Sequence, residues 1–289
     1  MTIISILFSI LFLGAILLPI VQRKLRQAKR LQKIREIEDA RESRVITLIT
    51  RQGPLAFLNI PMLRALDIGD SEEILRAIHQ TDAETPIDLV IHTPGGIMLA
   101  GEQIARALSA HEGEVTVFVP HHALSGGTLI ALAADRIVMD PNAVLGPVDP
   151  QIQSLPAASI LEAVSRKDVN EVDDETLILA DVGRKALNQM RESVLTLVSA
   201  RLEQEQAEDL ARALTSGQWT HDFPITVERA RALNLPVDAE MPEFVHELLE
   251  LFPQRARQYP SVQYLPEPAR KEDENGKANG SVNDRMVTY

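Results

Sequence analysis

Two glycine pairs define the chemistry open to this sequence. His92-Thr-Pro-Gly-Gly96 and Ala123-Leu-Ser-Gly-Gly127 each follow a β-branched run and precede a helical pattern. At the carboxyl edge of a parallel sheet, such turns bare backbone N–H groups at helix N-termini, the means of stabilising a developing oxyanion. Ser125 is then a candidate nucleophile, with the N–H of Gly126 beside it and that of Gly96 across from it as donors. The plainer alternative is that Gly-Gly serves tight packing and Ser125 caps a helix. Two such turns on adjacent strands, one with a serine, bring chemistry level with that alternative. His121 and His122 lie just ahead of Ser125, and one could reach its hydroxyl in a folded turn. His92 ends a strand and reads as a buried histidine. His221 reads as mainly structural, and Asp149 either orients a neighbour or caps a turn. The chain has no cysteine, so a thiol nucleophile, thiolate metal ligands and disulfides are excluded. Neither HExxH nor GxxxxGK occurs, so neither a metal nor ATP is expected, and no cofactor is implied.

The elements that must position these turns follow from hydrophobic period. Val45–Ile49, Ile87–His92, Val115–Val119 and Arg136–Met139 read as strands, alternating with helical stretches in the pattern of a βαβ layered domain with parallel pairing. Asp70-Ser-Glu-Glu73 has cap chemistry ahead of a helix. Ile97–His111 reads as an amphipathic helix, and Leu124–Ala134 as a helix apolar on all sides and therefore buried. A helical portion spans Pro156–Leu251, with a start at Asp173 and one apolar face from Leu177 to Leu202.

Thr93-Pro-Gly-Gly96, Ala123–Asp135 and Leu145-Gly-Pro-Val-Asp-Pro-Gln151 resemble the serine dehydrogenase proteinase family, a membrane-associated branch of the Clp-type serine peptidases, over about Ile37 to Phe252. The glycine motifs are also similar to those of the Clp protease and signal peptide peptidase A. The resemblance implies an α/β fold, a Clp/crotonase-like ββα superhelix with parallel strands and a helical C-terminal part. It implies a serine endopeptidase with Ser125 as nucleophile, Gly96 and Gly126 in the oxyanion hole, and further copies of the chain as partners. Clp proteases carry a histidine beyond the Pro-Asn turn, where this chain reads Leu145-Gly-Pro-Val-Asp-Pro150. Signal peptide peptidases use a lysine further on, and Lys167 falls in that place. Lys167 is therefore the expected base, provided burial lowers its pKa by roughly three units. Lys185, His122 and His221 stand behind it, with Asp149 in support.

The ends of the chain are of another kind. Thr2–Gln22 carries no charge and as a helix spans roughly the 30 Å hydrocarbon core, so residues 1–22 are expected to form one transmembrane helix. A cleaved signal peptide needs basic residues ahead of the apolar stretch, and here they follow it. Arg23, Lys24, Arg26, Lys29, Arg30, Lys33 and Arg35 make residues 23–43 a basic juxtamembrane linker. This places the expected peptidase domain, 44–252, in the cytoplasm at the cell membrane. Residues 253–289 read as a polar, disordered tail. After Arg35 there are 22 basic against 41 acidic residues, which argues against nucleic acid as a partner. The expected partners are a polypeptide substrate, membrane proteins included, and the lipid bilayer. Two competing readings stay open: a crotonase-like acyl-thioester enzyme, which needs the N–H pair but not Ser125, and a catalytically decayed membrane scaffold.

Overall fold

The structure, a computed structural model, describes residues 3–50 and 65–252, and the side chains of 3–10, 14–16 and 19 lie outside that description. In chain order the elements are α1 (Ile3–Arg41), β1 (Arg44–Ile49), α2 (Ile68–His79), β2 (Ile87–His92), α3 (Met98–Ser109), β3 (Val115–Val119), β4 (His122–Ala123), α4 (Gly126–Ala131), β5 (Arg136–Met139), β6 (Val144–Leu145), β7 (Gln151–Ile152), β8 (Leu155–Pro156), α5 (Ala157–Ser165), α6 (Asp174–Val198), α7 (Gln204–Thr215), α8 (Val227–Ala232), β9 (Val237–Asp238) and α9 (Glu243–Glu250). The four β-branched runs pair with β9 into a five-stranded sheet of order β1-β2-β3-β5-β9. Every neighbour is parallel. β3 is buried along its whole length, as a parallel strand covered on both faces must be.

The period of two along the strands divides the core. Leu48, Leu89, Ile91, Val117, Val119, Ile137 and Met139 share a cluster with residues of α2, α3, α4, α6 and α7. Val45, Val90, Phe118 and Val138 share a second with Ile37 of α1 and with Val245 and Leu248 of α9. α2 begins on a capping box in which Asp67 and Asp70 each accept from the other's backbone N–H, which satisfies two otherwise orphaned donors.

The expected transmembrane helix and basic linker form one continuous helix, α1. Among the described residues no helix is long and apolar enough to cross a membrane, so the structure does not support the expected span. The helix also carries Ile34 and Ile37 into the second core, so its last turns belong to the folded unit. The chain divides after Phe252, and the expected disordered tail lies outside the described residues.

Candidate active site

Beyond its last ladder residue, β2 continues into a second pairing that joins the two glycine turns. Thr93 N–H donates to His122 O at 3.1 Å, and Leu124 N–H donates to Thr93 O at 3.0 Å. Gly95, at φ +94°, lies directly against the serine: a Cβ there would sit 2.8 Å from both Leu124 O and Ser125 Cβ. Gly96 meets Leu66, which donates from its N–H to Gly95 O and accepts from Ile97 N–H, each at 2.8 Å. A Cβ on Gly96 would overlap the Leu66 backbone.

Ser125 is the N-cap of α4, 6% exposed, yet its side chain makes no capping bond. Its backbone holds φ 52° and ψ −114°. Gly127 N–H is spent on Leu124 O. The N–H groups of Gly96 and Gly126 have no acceptor among the described residues, which leaves them free for a ligand.

Thr128 ties a third segment beneath the serine. Its hydroxyl lies 2.8 Å from both Ala123 O and Gly146 O and accepts from Gly146 N–H at 3.0 Å. Leu145, in β6 beside β4, also exchanges backbone bonds with Ile225 in antiparallel sense. Four residues outward on each side of that bridge come Asp149 and His221. His221 Nδ1 lies 2.7 Å from Asp149 Oδ1, and Gln151 Nε2 donates to Asp149 Oδ2 at 2.6 Å. Asp149 is 2% exposed, so its carboxylate requires these donors. A carboxylate accepting at Nδ1 fixes the proton there and leaves Nε2 as the basic nitrogen.

The other candidates fall elsewhere. Lys167 is exposed on the turn after α5, and its side chain has no partner among the described residues. A lysine base needs desolvation, and this chain supplies none at that turn. The expectation of a buried Lys167 is therefore corrected. Lys185 is exposed and pairs with Asp181, one turn back on α6. The His122 ring lies tilted against that of His92, centroids 4.2 Å apart, and the His121 ring meets His92 edge-on at 5.5 Å. Burial, then the neighbouring His122 and His121, push His92 down to about 4. Burial and His121 lower His122. Among the described residues no group of His, Asp or Glu could hold a metal ion. Thr128, Gln151 and Gly95 were not singled out from sequence. Gln151 and Gly95 stand inside quoted motifs, whereas a buried threonine on an apolar helix gives no local signal.

Residues 1–279 match a family model described as ClpP-like SDH-type serine proteinase. Two uncharacterised proteins of Methanocaldococcus jannaschii are similar to nearly the whole chain. One is 50% identical over 93% of this chain and 94% of its own length. The other is 51% identical over 96% of this chain and 95% of its own length. Among solved structures, ClpP1 from Listeria monocytogenes aligns with a TM-score of 0.44 at 16% identity, covering 73% of this chain and 98% of that one.

Proposed function

Because the chain belongs to the ClpP-like SDH-type serine proteinase family, we propose that it is a serine endopeptidase using Ser125 as nucleophile, His221 as base and Asp149 to orient that base. Ser125 Oγ attacks the peptide carbonyl and its proton passes to His221 Nε2. The tetrahedral oxyanion accepts from Gly96 and Gly126 N–H. Collapse expels the amine, which takes the proton from His221, and water then hydrolyses the acyl-enzyme by the same relay. The observation that carries this reading is the 2.7 Å contact of His221 Nδ1 with a buried carboxylate, in a segment whose register begins beside the Ser125 turn.

The same proposal anchors the chain in a membrane through its uncharged N-terminal segment and keeps the peptidase domain cytoplasmic. Exposed Leu11, Leu13, Leu17, Leu18 and Val21 on α1 support the anchoring. Exposed Ile178 and Val182, one turn apart on α6, support self-association.

A fluorophosphonate probe tests the chemistry, since only an activated serine reacts with it. Folded full-length protein should label at Ser125, and S125A should not label. H221A should label about 10³-fold more slowly or worse, since triad members act as a unit, and D149N should fall with it. K167A should label at the parental rate. Loss of labelling in K167A with retention in H221A would transfer the role of base to Lys167. A folded protein that never labels would favour the scaffold.

A further inference from the structure

α1 reverses direction at Glu42, φ 51°, and runs back along β1. Glu38 Oε1, four residues before the turn, accepts from Val45 N–H at 3.1 Å, just after it. Farther back, Lys33 pairs with Glu247, and Arg30 Nε donates to Leu251 O at 2.6 Å. The direction is fixed independently from the far side of α1. α9 lies antiparallel to it, with Phe244 near Arg41 and Leu251 near Arg30, and His246 of α9 reaches Asp140, the residue after β5, at 3.5 Å. α1 therefore climbs from the amino edge of the sheet to the carboxyl edge that holds Ser125.

The length places what lies beyond. From Arg41 to Arg30 a helix rises about 16 Å, and the six residues of β1 cover a similar distance. Residues 3–29 continue the same helix outward from there, roughly 40 Å of its length. The first stretch outward carries exposed Lys29, Arg26, Lys24 and Arg23, and exposed Val21, Leu18, Leu17, Leu13 and Leu11 come next. A basic collar followed by an uncharged arm complements anionic headgroups over a hydrocarbon core. The remainder of the chain, near −19 after Arg35, is repelled by such a surface, so the collar decides which end approaches it.

We propose that α1 turns the catalytic edge towards the lipid bilayer that takes its N-terminal arm, so that the substrates are polypeptide segments lying at the headgroups. This rests on the membrane-anchored peptidase reading above. The collar spans about 10 Å along the helix, short enough to keep the Ser125 turn near the lipid surface and to disfavour substrates that must approach from that side as folded domains.

The absence of cysteine allows single labels. Full-length N142C, at the turn after β5, and E112C, at the turn before β3, each carry a donor fluorophore on vesicles of phosphatidylcholine and phosphatidylglycerol with an acceptor on the headgroups. P141C and E84C form a second pair should either variant misfold. Energy transfer should be several-fold greater from position 142 than from 112, and a peptide tethered to the vesicle by an acyl chain should be cut several-fold faster than the same peptide free. Equal or reversed transfer in protein that floats with the vesicles would overturn the orientation and leave anchoring and chemistry intact. Equal cleavage of tethered and free peptide would overturn the substrate class. Protein that does not float removes the anchoring and this inference with it, while Ser125 labelling in detergent reports separately on the peptidase.

Discussion

Ser125 adopts φ 52° with ψ −114°, a region that a residue bearing a Cβ enters at a cost of about 1–3 kcal/mol. The surroundings enforce it: Leu124 N–H is committed to Thr93 O, Gly127 N–H to Leu124 O and Leu129 N–H to Ser125 O. With this backbone the Ser125 side chain makes no capping bond. Glycine at this position should relieve the strain, offset in part by about 0.5–1 kcal/mol of added freedom in the unfolded chain. S125G should therefore be more stable than S125A by about 1 kcal/mol in urea unfolding, although neither labels with a fluorophosphonate. Equal midpoints would mean that the strain there does not exceed the roughly 0.5–1 kcal/mol that glycine costs through the unfolded chain. His92 offers a second check at this scale. Its folded pKa of about 4 lies below the 6.5 of the unfolded chain, so between these values the unfolded state binds more protons. Its contribution to stability is present above pH 6.5 and is lost as pH falls to about 4. The thermal midpoint of the parent should drop across that window more steeply than that of H92N.

At the scale of elements, the site depends on three segments meeting at one edge, and Thr128 of α4 is the joint between two of them. T128V keeps the shape but leaves Gly146 N–H and the facing carbonyls without the hydroxyl. It should cost about 1–3 kcal/mol in urea unfolding, while T128S should keep most of the stability and the labelling rate. The four main strands were legible because each is a short β-branched run closed by turn residues. α4 is shorter than the expected Leu124–Ala134 helix because Leu124 and Ser125 are consumed by the turn, and at its other end Ala133 and Ala134 N–H bond three residues back, to Ile130 O and Ala131 O. α2 starts at Ile68 rather than after Asp70, since Asp67 is the cap and Asp70 its reciprocal partner. Two-residue strands such as β6 and β9 carry no readable period. The pairing of Asp149 with His221, 72 residues apart, follows only from the Leu145–Ile225 register, and nothing local in either segment announces it. The exposure of Lys167 is illegible for the converse reason: its place in the motif order is local, but the burial a lysine base needs is a tertiary property.

At the scale of the whole molecule, α1 is joined to the sheet through Asp88. Asp88 of β2 carries a side chain 3% exposed, and its carboxylate accepts from Arg41 Nε at 2.5 Å and Nη2 at 3.0 Å, and from Ser43 Oγ at 2.6 Å. The Arg41 guanidinium also lies 5.3 Å from the Phe118 ring centroid and 5.7 Å from that of Phe244. One residue therefore joins the end of α1 to the sheet and to α9. Such a pair adds little net stability over apolar replacements, but breaking it from one side strands a buried charge at about 3–5 kcal/mol. R41M should be destabilised by about that amount, and R41M combined with D88L should recover most of the loss. If the clamp also aims the catalytic edge, R41M in its folded fraction should exchange backbone hydrogens faster across residues 30–41. It should then cut a free peptide at the parental rate while losing its preference for the lipid-tethered one. A variant with loosened exchange and an undiminished preference for tethered peptide would show that the orientation is held elsewhere, with the Arg30 and Lys33 contacts to α9 the next to be tested.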